Sequence, residues 1–128
     1  METTRKNIQI RQHIVRYCNQ IETTSAYFHL TVQTLEDNFI ARNSICMPIQ
    51  QIGELANHLD ECFKKEHDEI PWRSIIAMRN IFAHDYDSND PELIWATVKE
   101  DIPELKEYCI TLLKENNCPI PIPENIDK

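Results

Sequence analysis

The chain has 128 residues, 41% of them apolar, and a formal net charge of -8 at pH 7. That length suits one domain with a real core and excludes two, and the apolar share excludes a disordered polymer. The acidity repels nucleic acid at long range, so any activity on RNA must rest on a local basic site.

No apolar run approaches the roughly 20 residues needed to span a bilayer. Met1 to Lys6 is not followed by an uninterrupted apolar segment, so a secretory signal is not expected and a cytoplasmic location is the default. Gly53 is the single glycine, against seven prolines. Hairpins and compact sheets need more glycine than that, so an all-α fold is expected. One glycine also rules out the phosphate-cradling loops and nucleophile elbows of ATPases, Rossmann enzymes and many hydrolases. The five cysteines (Cys18, Cys46, Cys62, Cys109, Cys118) form no C-x-x-C pair and read as reduced thiols, mostly core fillers.

In chain order, a first helix is expected over residues 5 to 23, with Ile10, Ile14, Cys18 and Ile21 on one stripe. Thr3 or Thr4 is placed to cap it, and Thr23-Thr24-Ser25 to break it. A long second helix is expected from about 34 to 65, with Phe39, Cys46, Ile49, Ile52, Ala56, Leu59 and Phe63 inward and a bend at Pro48. Gly53 lies on that inward side, where it lets another helix come close. Lys64 to Glu69 reads as a frayed end and a solvated loop.

Pro71 suits the first position of a third helix carrying Trp72, Ile75, Ile76 and Met78. Asp90-Pro91-Glu92 opens a short fourth helix filled by Leu93, Ile94, Trp95 and Val98. Asp101, Pro103 and Glu104 restart the chain into a last helix that stops at Asn116 to Pro119. The expected architecture is an antiparallel bundle of four to five helices over 1–118, with an extended proline-containing tail over 119–128.

The stretch Arg79 to Tyr86 concentrates the chemistry: a guanidinium, an amide, an imidazole, a carboxylate and a phenol within eight residues. Arginine offers a permanently charged fork for phosphate oxygens, and histidine exchanges protons near neutral pH. Residues five apart on a helix lie about 140° apart round its axis. Arg79 and His84 therefore do not share a stripe, whereas Asn80 and His84 do. Either the helix loosens before His84, or a second copy of the segment completes the site. Taken alone, the pair also fits a surface arginine and a helix-terminal histidine bonding the last carbonyls, with Tyr86 covering the helix end.

Other candidates have bland readings. His58 and Cys62, with His67 further on, resemble half a zinc site, but no second ligand pair matches, so a solvated histidine beside a core cysteine is preferred and no metal is expected. His13 and His29 read as structural or surface groups. Glu54, beside Gly53, is either a boundary residue or one that orients site groups.

Four ordered pieces then resemble one family. Ile49 to Ala56 is similar to its "IGEA" helix segment, and Ile70 to Asn80 to its "IPW..I..MRN" stretch. Arg79, His84 and Tyr86 form its Arg-x4-His-x-Tyr motif, and Ile94-Trp95 with Glu100 to Leu105 resembles its closing "VW…DIPEL". These pieces identify the chain as a member of the HepT-like family of HEPN domains, the toxin half of type VII-like HepT–MntA toxin–antitoxin pairs. The likeness covers roughly residues 5 to 115, departing at Leu55, where alanine is usual, and at Pro48.

The resemblance implies an all-α homodimer whose two motifs face one cleft, and endoribonuclease activity needing no metal or other cofactor. It makes His84 the proton-exchanging group and Arg79 the phosphate clamp, with Asn80 positioning one or the other. Tyr86 would line the cleft and accept AMP from a cognate MntA-type nucleotidyltransferase, which would block the RNA substrate. Glu54, Arg73 and Asp85 would be supporting residues; neither a membrane nor DNA is an expected partner. A reading from another class is a non-catalytic helical subunit of a nucleotidyltransferase complex.

Overall fold

A computed structural model describes residues 4–81 and 90–124. Within them the chain forms α1 (Arg5–Phe28), α2 (Val32–Asp37), α3 (Phe39–Asn57), α4 (Glu61–Glu66) and α5 (Trp72–Ala77). A 3-10 turn (Met78–Asn80) follows α5, and α6 (Pro91–Ala96) runs through a π-helical turn (Thr97–Asp101) into α7 (Ile102–Glu115). The described residues contain no strand, and none of their helices is long and apolar enough to cross a membrane.

The three long helices build the core. α1 is antiparallel to α3: Asn7 Nδ2 donates to Asp60 Oδ2 (3.3 Å) just past the end of α3, whereas Thr24 and Phe28 share a groove with Ser44 near its start. α7 is antiparallel to α1, with Arg11 Nη1 donating to Asn116 Oδ1 (3.3 Å) beyond its end and Lys106 pairing with Glu22 (2.8 Å) near its start. Ile14, Cys18 and Ile21 meet Ile45, Ile49 and Ile52 from α3 and Ile102, Leu105 and Leu113 from α7, all closed to solvent. Spacings of three and four put each set on one helix face.

The ends of the helices are chemically specified. Thr4 Oγ1 accepts from the Asn7 amide at 3.1 Å, and Asn38 Oδ1 accepts from Ile40 and Ala41 at 2.9 and 3.1 Å. Each satisfies amides that have no partner within the helix. α1 and α7 stop in left-handed residues, His29 (φ 49°) and Asn117 (φ 57°). The next amides, Leu30 and Cys118, return to the Ser25 and Leu113 carbonyls at 2.9 Å in each case. His29 is thus a structural stop. Beyond Asn117 the tail runs back along α1, where Gln12 and Asn19 donate to the Pro119 and Pro121 carbonyls at 2.9 and 3.3 Å.

Several expected boundaries move. α1 continues through Thr23-Thr24-Ser25 to Phe28, because packing against α3 outweighs their modest helix propensity. The long second helix is three: Asn38 and Asp60 take extended backbone at the starts of new helices, while Pro48 stays inside α3. Phe39, expected inward, begins α3 facing solvent at 63% exposure. Lys64 is buried rather than part of a solvated loop, its ammonium 3.3 Å from Glu61. His67 Nδ1 sits 2.7 Å from the Tyr108 hydroxyl. Cys62 is exposed on α4 and His58 ends α3, so they share neither a helix nor a core setting.

Asp101 does not restart the chain. It has helical backbone and makes no side-chain cap, so α6 and α7 are continuous through the π turn. Pro103 explains this: it offers no amide to the carbonyl four residues back, Lys99, and its ring crowds that carbonyl. The preceding turn widens to i→i+5 bonding.

Burial raises the Cys46 thiol from its ordinary 9.0 to about 11, and the Cys109 thiol to about 12. Both hold their protons in the folded chain where the unfolded chain loses them. Their contribution to stability is complete below pH 9 and falls as pH climbs toward 11 and 12. A charged maleimide at pH 8 should modify exposed Cys62 first and spare Cys18, Cys46 and Cys109 until the protein is unfolded. Intact-mass counting of labels checks this, and early labelling of Cys46 would contradict the packing.

Candidate active site

The motif segment is positioned from α5 onward. At six residues, α5 is too short to persist alone and is held by contacts. Trp72 Nε1 donates to the His67 carbonyl at 2.9 Å, its ring lies 6.1 Å from that of Phe63, and Ile75 is buried against the core. At Met78 the helix tightens into the 3-10 turn, closed by the Ile81 amide on the Met78 carbonyl at 3.0 Å. The helix therefore departs from regular α geometry at Met78 by tightening, whereas the loosening before His84 that the spacing allowed lies outside the described residues.

This turn lies directly on Gly53. A Cβ at position 53 would overlap the Arg79 backbone nitrogen and come within 3.0 Å of Arg79 Cα and the Met78 carbonyl carbon. Gly53 is buried in the middle of α3, where glycine is a poor helix former. Its place there reflects the close approach of another backbone.

Arg79 is half-buried and Asn80 exposed, at consecutive positions of the turn. Asn80, Met78 and Ile81 line a cavity of about 450 Å³ together with Ile49, Ser74, Ala77, Leu93, Ile94, Thr97, Asp90 and Asp101. The Asp90 carboxylate caps α6 by accepting from the Glu92 amide at 3.0 Å. Asp101 has its pKa raised, first by burial and then by Glu100 and Glu104. Glu54 is exposed on α3 next to Gly53. Arg73 lines a different groove of about 520 Å³ with Glu61 and Asp68. The ion pairs among the described residues involve neither Arg79, Arg73 nor Glu54. His84, Asp85 and Tyr86 lie outside the described residues.

The structure thus brings Asn80 into one cavity with Ser74, Thr97 and Asp101, which the sequence reading did not single out. The available signal was Pro103, read as a helix start when it marks the widened turn behind Thr97 and Asp101. Among the described residues no three His, Cys, Asp or Glu side chains gather as metal ligands.

Gly53→Ala should gain up to about 1 kcal/mol of intrinsic helix propensity yet lose about 1–3 kcal/mol by overpacking, because the displaced group is backbone. A lowered denaturation midpoint should accompany amide-shift changes concentrated at Met78 to Ile81. Unchanged stability and shifts would show that the turn does not depend on this contact.

The chain matches the family described as "HepT-like: Ribonuclease HepT-like" over residues 14–112. A Methanocaldococcus jannaschii protein named a gamma-glutamylcyclotransferase and candidate RNase is 31% identical over 111 residues, 83% of this chain and 50% of that protein. The "Probable ribonuclease HepT" of Thermococcus cleftensis is 41% identical over 63 residues, 49% of this chain and 57% of that protein. A second Methanocaldococcus jannaschii candidate RNase is 31% identical over 71 residues, 56% of this chain and 65% of that protein. The chain therefore spans half to two thirds of the length of these relatives. No solved structure matches it. With an all-α fold, a match across most of its length and the Gly53-seated turn at Arg79–Asn80, the chain belongs to the HepT-like ribonuclease family.

Proposed function

We propose that the chain is a metal-independent endoribonuclease toxin of the HepT type, working as a homodimer through Arg79, Asn80 and His84. The observation that carries this is the 3-10 turn seated on Gly53, which holds the first two motif residues within the region matching a ribonuclease family. The names of the relatives, each of which includes an RNase designation, agree with it.

RNA supplies its own nucleophile. His84 takes the proton of a ribose 2′-hydroxyl, whose oxygen attacks the adjacent phosphorus, and the bond to the 5′-oxygen breaks. A proton is returned to that leaving oxygen, giving a 2′,3′-cyclic phosphate and a free 5′-hydroxyl. Arg79 neutralises the charge that grows on the non-bridging oxygens, and Asn80 orients the phosphate or the imidazole. A copy of the motif from the partner protomer supplies the second cationic and proton-exchanging group. Glu54 and Asp85 support the site, and Arg73, which lines a separate groove, adds only to the local positive field. In this reading an MntA-type nucleotidyltransferase silences the toxin by adding AMP to Tyr86, placing a phosphate charge and a bulky base in the cleft.

The net charge of -8 favours a second reading, a non-catalytic subunit of a nucleotidyltransferase complex. RNA cleavage in EDTA separates the two, once intact mass has shown the protein to be unmodified. Wild type should cut RNA to 2′,3′-cyclic phosphate ends. Arg79→Ala and His84→Ala should each lose roughly 100-fold or more. Inactive wild type, or variants as active as wild type, would leave the binding subunit as the better account.

A further inference from the structure

The cavity beside Asn80 has features that a phosphate clamp does not need. Both irregular helical segments of the described chain line it: the 3-10 turn contributes Met78 and Asn80, and the π turn contributes Thr97 and Asp101. A π turn inside a helix is rare and is found disproportionately at functional sites. Widening by one residue changes which side chains face the cavity, and here it presents Thr97 and Asp101. Thr97 directs its hydroxyl proton to the Leu93 carbonyl at 3.1 Å, leaving oxygen lone pairs.

The polarity of the lining selects the occupant. Its described residues include two carboxylates, Asp90 and Asp101, and no lysine or arginine. The two carboxylates repel phosphate and accept N–H donors. Ile49, Met78, Ile81, Leu93 and Ile94 supply apolar lining. At about 450 Å³ it lies within the range of about 300–1,000 Å³ typical of small-ligand pockets.

Resting on the ribonuclease reading, we propose that this cavity receives one base of the RNA substrate, and that the base is guanine. Guanine offers N1–H and the 2-amino group side by side, a pair of parallel donors that spans one carboxylate as an arginine fork does. Asp101 is the acceptor, because Asp90 is already engaged as the cap of α6. Uracil places carbonyls on both sides of its single N–H and would set them against the carboxylates. Asn80 joins the two halves of the site: it borders the base cavity and follows Arg79. The nucleotide's phosphate then falls to Arg79 and its base to the acidic cavity.

The test is equilibrium binding of guanosine 3′-monophosphate and uridine 3′-monophosphate to the full chain, with folding checked by circular dichroism. Folded wild type should bind the guanosine nucleotide at least tenfold more tightly. Asp101→Asn, which removes no cap, should abolish that preference. Leu93→Trp, at a position 65% exposed, should crowd the cavity without entering the core and weaken both nucleotides. Equal binding of the two nucleotides, a preference that survives Asp101→Asn, a preference for another base, or no saturable binding to folded wild type would each overturn the proposal. Cleavage of RNAs differing at one base separates the two readings. Active wild type indifferent to guanine overturns the cavity assignment alone, whereas guanine-selective binding without cleavage overturns the ribonuclease reading alone.

Discussion

The contact on which the site depends is the approach of the Arg79 backbone to Gly53. Every other residue type would bring a Cβ to position 53, and the geometry leaves no room for one. An alanine there would have suited α3 better by about 0.5–1 kcal/mol. The only glycine of the chain instead occupies a helix interior, while His29 and Asn117 hold left-handed positions where glycine is the easier choice. Fixing Arg79 against α3 fixes where α5 gives way to the tighter turn, and so how Asn80 is presented. The guanidinium proposed to hold phosphate is thereby anchored through its own main chain to the most buried helix of the bundle.

Irregular backbone marks the site twice. Gly53 admits the 3-10 turn that lines the cavity, and the π turn that also lines it lies just before Pro103, which withholds an amide from Lys99. Around them the structure is conventional, with α1 and α3 capped by side chains and α1 and α7 closed by returning amides. Charge follows the same division. A chain of net -8 does not attract RNA as a whole, so the proposed activity requires a local arrangement that sorts the substrate. In the proposed reading, the acidic cavity takes a base and Arg79 its phosphate.

Much of the fold was legible. The inward faces of α1, α3 and α7 follow from their three–four spacing, and a low glycine count points to helices. What failed were boundaries set by single polar residues. Asn38 and Asp60 look ordinary inside a long apolar period, yet each takes extended backbone and begins a new helix. Thr23 to Ser25 look like a break and are not one, because burial of neighbouring α1 positions on α3 carries the helix past them. Of the site, the motif and the close approach at Gly53 could be read from residue type and spacing. The partner element at Gly53, and the roles of Ser74, Thr97 and Asp101, could not. They depend on which helices meet in three dimensions and on a change of helical phase that no local pattern announces.

The central claim is that the Gly53 contact places the cleavage motif, beyond any contribution to stability. It is tested most directly by the RNA cleavage rate per folded molecule of Gly53→Ala beside a core variant of similar stability, such as Ile52→Val. The account predicts at least a tenfold loss in Gly53→Ala and a wild-type rate in Ile52→Val. Equal rates in both variants would contradict it.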